Sequence, residues 1–140
     1  DACDPVESLA AYGRLYNWYA VNDDRSLCPA GWHVPTHSEW TALTSHLGGT
    51  SSSGEALKSS TGWKGSGNGL NTSGFSGFPG GFRNSSSGGY FSLAGERGKW
   101  WASTPYSSLA YYRELKWTTN SVFSSYTSRK QGHSVRCIQD

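Results

Sequence analysis

From residue 98 to residue 138 the chain alternates aromatic and β-branched residues with serine, threonine and charged ones in four runs, 98–106, 110–117, 122–129 and 133–138. Pro105, Asn120 and Gly132 stand at or near the breaks. The pattern predicts four sequential strands joined by short turns, a meander. Within 110–117, a period of two puts Tyr111, Arg113, Leu115 and Trp117 on one face and Tyr112, Glu114 and Lys116 on the other. Leu115 marks the first face for burial, so the second is expected to offer an aromatic, an acid and a base to solvent or to a partner. A half-exposed sheet with no ligand alternates in the same way, and periodicity does not separate the two readings.

Upstream, the pattern changes from strand-like to helical. Thr36 and Glu39 have the spacing of a capping box, in which each side chain satisfies a backbone N–H left over at a helix start. A helix over 37–47 follows, with Trp40, Leu43 and Leu47 as its buried stripe and Gly48-Gly49 as its end. Glu39 therefore reads as a cap, not as a catalytic acid. Residues 12–21 crowd Leu15, Tyr16, Trp18, Tyr19 and Val21, which suits a strand or a short helix; a helix over 15–21 is expected. Residues 1–11 show no sustained pattern and read as a loosely held lead-in to a single domain over 12–140. Residues 50–89 are rich in Gly, Ser, Asn and Thr but carry Leu57, Trp63, Leu70, Phe75, Phe78 and Phe82, which predicts an ordered, irregular insertion, with a strand over 74–83 interrupted at Pro79. Asn71 and Asn84 each open a glycosylation triplet, a weak signal in so serine-rich a chain.

Composition narrows the class. The 140 residues fit one core, and seven Trp, eight Tyr and five Phe beside 18 Gly point to a loop-rich α+β domain. A net charge of +2, spread along the chain, gives no reason to expect nucleic acid or an anionic membrane as partner. No apolar run approaches the ~20 residues of a bilayer span. The absence of Met leads us to expect a processed product or a piece of a larger parent protein. Of three Cys, one is left over if two pair, and Cys3 in the lead-in is the expected leftover. No hydrolase elbow, phosphate loop or Cys-x-x-Cys is present, and His33 and His37 straddle Pro35 instead of sharing a helical face as a zinc pair would. An enzyme, a metal site and a cofactor are not expected.

Several long phrases carry a family resemblance: Tyr12-Gly-Arg-Leu-Tyr-Asn-Trp-Tyr-Ala20, Leu27-Cys-Pro-Ala-Gly-Trp-His-Val-Pro-Thr36 with Glu39-Trp40, Phe78-Pro-Gly-Gly-Phe-Arg83, Trp100-Trp-Ala-Ser-Thr104 and Ser134-Val-Arg-Cys137. They resemble, in order and over nearly the whole chain from Tyr12, the Fibrobacter succinogenes major paralogous domain. The resemblance implies an α+β, C-type lectin-like fold with two short helices, an antiparallel sheet and long irregular Gly/Ser-rich loops, in a secreted or surface-exposed bacterial domain. Some members resemble the variable proteins of diversity-generating retroelements. Their pattern implies fixed positions at Trp100, Trp101, Ser103, Thr104, Ala110, Arg113, Leu115, Val122, Gly132, Ser134, Val135, Arg136 and Cys137. His133 stands where an aromatic is usual and Pro105 where an acid is usual. The varied positions, taken with the alternation above, nominate Tyr106, Tyr112, Glu114, Lys116, Trp117, Thr118, Phe123, Ser125, Tyr126 and Lys130 as one ligand-binding patch. Cys28 and Cys137 are expected to form a disulfide. A packing role is expected for Trp40, Trp100, Trp101 and Leu115.

The function expected on these grounds is a ligand-binding display domain, extracellular or at the cell surface, whose partner is a protein or glycan on another cell or surface. A calcium-independent carbohydrate-binding module is the alternative. The calcium-ligating phrases of lectins with this fold, such as Glu-Pro-Asn and Trp-Asn-Asp, are absent from the sequence.

Overall fold

The structure, a computed structural model, describes residues 5–86 and 88–140, with side chains from Leu9 onward. Cys3 lies outside the described residues. In chain order the elements are α1 (Pro5–Tyr12), α2 (Trp18–Val21), β1 (Trp32–His33), α3 (His37–His46), α4 (Ser53–Leu57), β2 (Phe82–Arg83), β3 (Phe91–Ser92), β4 (Arg97–Tyr106), β5 (Leu109–Lys116), β6 (Thr119–Ser128) and β7 (Ile138–Gln139). The architecture is α+β.

The predicted meander forms over β4, β5 and β6, an antiparallel sheet in that order. Its fourth strand does not. After β6 the chain crosses to the outer edge of β4, where Ser134 bridges Trp100 in parallel through Trp101 N–H to Ser134 O (3.1 Å) and Ser134 N–H to Lys99 O (2.9 Å). It then leaves the sheet, and β7 pairs with β1. The Cys28–Cys137 disulfide, with Cα atoms 5.8 Å apart, holds this exit beside the segment that leads into α3.

Capping works as the sequence requires: Thr36 Oγ1 accepts from Glu39 N–H at 3.2 Å and the Glu39 carboxylate accepts from Thr36 N–H at 2.8 Å. The lead-in departs from expectation, since residues 5–12 are the helix α1. The second helix is shorter than predicted because Tyr16 is taken by a backbone bridge to His133, and Asn17 caps what remains. In the insertion only Phe82 and Arg83 of the predicted 74–83 strand form a strand, paired with β3, while Gly77 and Gly81 make isolated bridges to Lys58 and Gly98. Left-handed backbone at Gly74, Ser76 and Gly81 breaks the extended run, while Gly77 O accepts from the Trp63 indole at 3.0 Å.

Two apolar clusters flank the sheet. Trp40, Leu57, Trp63, Trp100, Ala102, Leu115 and Val122 fill the face toward α3 and α4, with Leu43, Leu47, Phe75, Tyr111 and Trp117 against them. Trp18, Trp101, Ala110 and Tyr112 fill the other, with Val21 and Val135. All four expected packing residues, Trp40, Trp100, Trp101 and Leu115, are buried. The even face of β5, expected to meet solvent, is instead covered: α2 and the returning segment around His133 lie over its Tyr112 end, and Phe82 over its middle. Tyr112 and Glu114 are consequently only 9% and 5% exposed.

Candidate binding face

Register on the covered face sets three rows of side chains across β4, β5 and β6. Trp101 pairs with Tyr112 and Tyr112 with Ser125; Lys99 with Glu114 and Glu114 with Phe123; Arg97 with Lys116 and Lys116 with Thr119. Directly paired residues of antiparallel strands project to the same side, so each row is a set of neighbours. The Trp101 row is packed under His133 and Trp18. Toward the Arg97 row cover thins, and Phe123 reaches 36% exposure.

Charge gathers where cover thins. Arg97 Nη1 donates to Glu114 Oε1 at 2.7 Å, and Lys116 Nζ lies 3.8 Å from Glu114 Oε2. Lys116 Nζ also sits 3.8 Å above the centre of the Phe123 ring. Lys99, only 7% exposed, points its ammonium at the Phe82 ring, 3.9 Å from the centre, and lies 4.9 Å from that of Tyr112. Burial, with Arg97 and Lys116 adding repulsion against the pull of Glu114, holds the Lys99 ammonium below its usual pKa. Burial likewise pushes the Tyr112 phenol up.

The ten nominated residues do not converge on one patch. Tyr112, Glu114, Lys116, Phe123 and Ser125 share the face just described. Tyr106 and Tyr126 lie on the opposite face, stacked on each other at 4.1 Å with Tyr111 edge-on to both, and His37 at 4.1 Å from Tyr111 closes that cluster against α3. Tyr106 and Tyr126 are 41% and 46% exposed. Trp117 packs against the apolar cluster beneath α3, with Lys64 Nζ 5.4 Å from its ring, while Thr118 is exposed in the β5–β6 turn. Lys130 is exposed in the turn at the other end of β6, about 30 Å away along a ten-residue strand.

Arg97, Lys99 and Phe82 were not nominated, yet they complete the face. The signal was present, because Arg97 and Lys99 alternate with Gly98 and Trp100 along β4 and so share the side of Trp101. A separate cavity of about 280 Å³, lined by Tyr12, Arg14, Tyr16, Phe78, Trp100 and Arg136 among others, includes none of the nominated residues. Among the described residues no group of three His, Cys, Asp or Glu is arranged to hold a metal ion.

No curated protein and no solved structure matches the chain. The sequence profile of the Fibrobacter succinogenes major domain matches residues 4–139, which takes in α1 as well as every element of the sheet and both flanking clusters. The chain belongs to the Fibrobacter succinogenes major domain family.

Proposed function

We propose that the chain is a ligand-binding display domain, a C-type lectin-like scaffold of the kind used by variable proteins of diversity-generating retroelements, presenting the face around Lys116 and Phe123 to a protein partner outside the cell. The observation that supports this is charge buried at a thinly covered edge. Lys99 and Glu114 are nearly inaccessible, although burying an ion costs several kcal/mol before pairing returns any of it. An apolar pair of similar volume would serve the fold as well or better. Charges held at such cost inside an aromatic frame are the preorganised polar groups that recognition uses, and the exposed Phe123 beside them supplies an anchor. The disulfide suits an oxidising compartment. Among the described residues no helix is long and apolar enough to cross a membrane. This reading assigns the domain no catalytic step, cofactor or nucleic acid.

Calcium-independent carbohydrate binding is a second reading, favoured by the exposed Tyr106–Tyr126 pair on the opposite face. A glycan array and a pull-down with intact cell surfaces, run on one preparation, separate the two. For a protein ligand, Phe123→Ala is expected to cost about 2 kcal/mol of binding while melting barely changes. A sugar ligand lost in Tyr126→Ala and kept in Phe123→Ala would move the site to the tyrosine face.

A further inference from the structure

On the binding face the charges do not balance. Arg97 and Lys116 take the two oxygens of Glu114 between them, which leaves Lys99 as a third cation without a carboxylate of its own. Among the described residues its ammonium has no hydrogen-bond acceptor; its neighbours are the rings of Phe82 and Tyr112. The residue keeps 7% of its surface, at the edge where cover thins. The stem is thus fixed by packing, with little of the side chain open to solvent. Ring faces stabilise a cation but supply none of the acceptors that three N–H groups require, so those must come from water or from a ligand.

Resting on the reading of this face as a binding surface, we propose that Lys99 receives a carboxylate from an acidic polypeptide segment of the partner, which docks beside Phe123. Three cations against one resident carboxylate give the face a local excess of positive charge that selects an anion. A carboxylate fits this ammonium because it accepts from it and carries a charge that water lacks, without disturbing the Arg97–Glu114 pair. A polypeptide fits better than an acidic glycan because Phe82 and Phe123, which a sugar ring would stack on, each already carry a lysine ammonium within 4 Å of the ring centre, at 3.9 and 3.8 Å. An incoming carboxylate would also offset the burial that depresses the Lys99 ammonium.

The test is a nuclear magnetic resonance titration of the intact chain with a hexaglutamate peptide at low salt, with hexagalacturonate as the glycan arm. Saturable shifts centred on Lys99 and Phe123 are expected, weakening as salt is added, together with a rise in the Lys99 ammonium pKa. Lys99→Met should weaken the peptide at least about tenfold. Its melting temperature should hold or rise, because the variant buries an apolar chain in place of a charge. Arg25→Gln, which removes an exposed cation elsewhere, should leave affinity within about twofold, as rim charges do. Equal binding by Lys99→Met, equal binding of hexagalacturonate, or no binding of hexaglutamate with an unmoved Lys99 pKa each overturns the proposal. If hexaglutamate fails but a ligand captured from cell surfaces is weakened by Phe123→Ala, only the carboxylate assignment falls. A captured ligand indifferent to both Phe123→Ala and Lys99→Met would remove the binding face as well.

Discussion

His133 is an imidazole enclosed by aromatic rings, stacked on Trp101 at 4.1 Å and set edge-on to Tyr112 at 4.8 Å. Its Nε2 meets Gln131 Oε1 at 3.1 Å, and its Nδ1 is buried with no partner among the described residues. Burial first, then the nearby Lys99 charge, hold its pKa well below the ordinary 6.5. The folded state keeps this ring neutral where the unfolded chain would protonate it, so stability falls as pH drops below about 6.5 toward the folded pKa. His33 works in the opposite direction. Paired with Asp140 at 2.6 Å and Glu39 at 3.0 Å, it has a raised pKa, and its contribution is present below about 6.5 and lost as pH rises through the folded value. His133→Phe, which keeps the stack, is expected to remove the acid-side loss, so that urea midpoints from neutral pH downward decline less steeply than in the parent. An unchanged slope would show that His133 is not neutral in the fold. The same neighbourhood holds the clue that alternation alone missed. Trp100 and Trp101 are adjacent in a strand, so they face opposite ways, and a packing role for both requires two covered faces.

Among the elements, β5 shows where sequence legibility stopped. Its period of two was readable and correct, and so was the burial of Leu115; the side of the sheet open to water was not. That depends on α2 and the segment around His133, which reach the sheet from more than ten residues away in sequence and leave no periodic trace in β5 itself. The helix α3 was legible to within a residue because its start is decided locally by Thr36 and Glu39. The fourth strand was misread because residues 133–138 have strand-like composition but a destination set by the Cys137 bond. These placements separate two substitutions that alternation made equivalent. Tyr112→Ala is expected to destabilise by about 3 kcal/mol or more, as a truncated core aromatic does. Phe123→Ala should stay within about 0.5 kcal/mol. Chemical denaturation of both variants checks the split, and similar losses would mean that Phe123 is more enclosed than its 36% exposure indicates.

In the molecule as a whole, the disulfide spans 109 residues and closes a loop that contains α3, the insertion and the entire sheet. The pairing was anticipated from the family resemblance, not from spacing, and the α+β class from composition. Replacing Cys28 and Cys137 together by Ser is expected to cost about 4 to 5 kcal/mol in the chain-entropy account, seen as a lower melting temperature that reductant no longer changes. A loss under about 1 kcal/mol would mean that the β1–β7 pair and the His33–Asp140 contact hold this corner unaided. The closed loop also fixes how the domain answers a mechanical load. Tension carried along the chain across the domain reaches Cys28, crosses the sulfur–sulfur bond and leaves at Cys137, so the strands between the two cysteines cannot be drawn out while that bond holds. Stretched in its oxidised form, the domain should give up α2 and the Tyr16 contact with His133, which cover one end of the binding face, yet keep the sheet folded, whereas the reduced form should also pay out the length between the two cysteines.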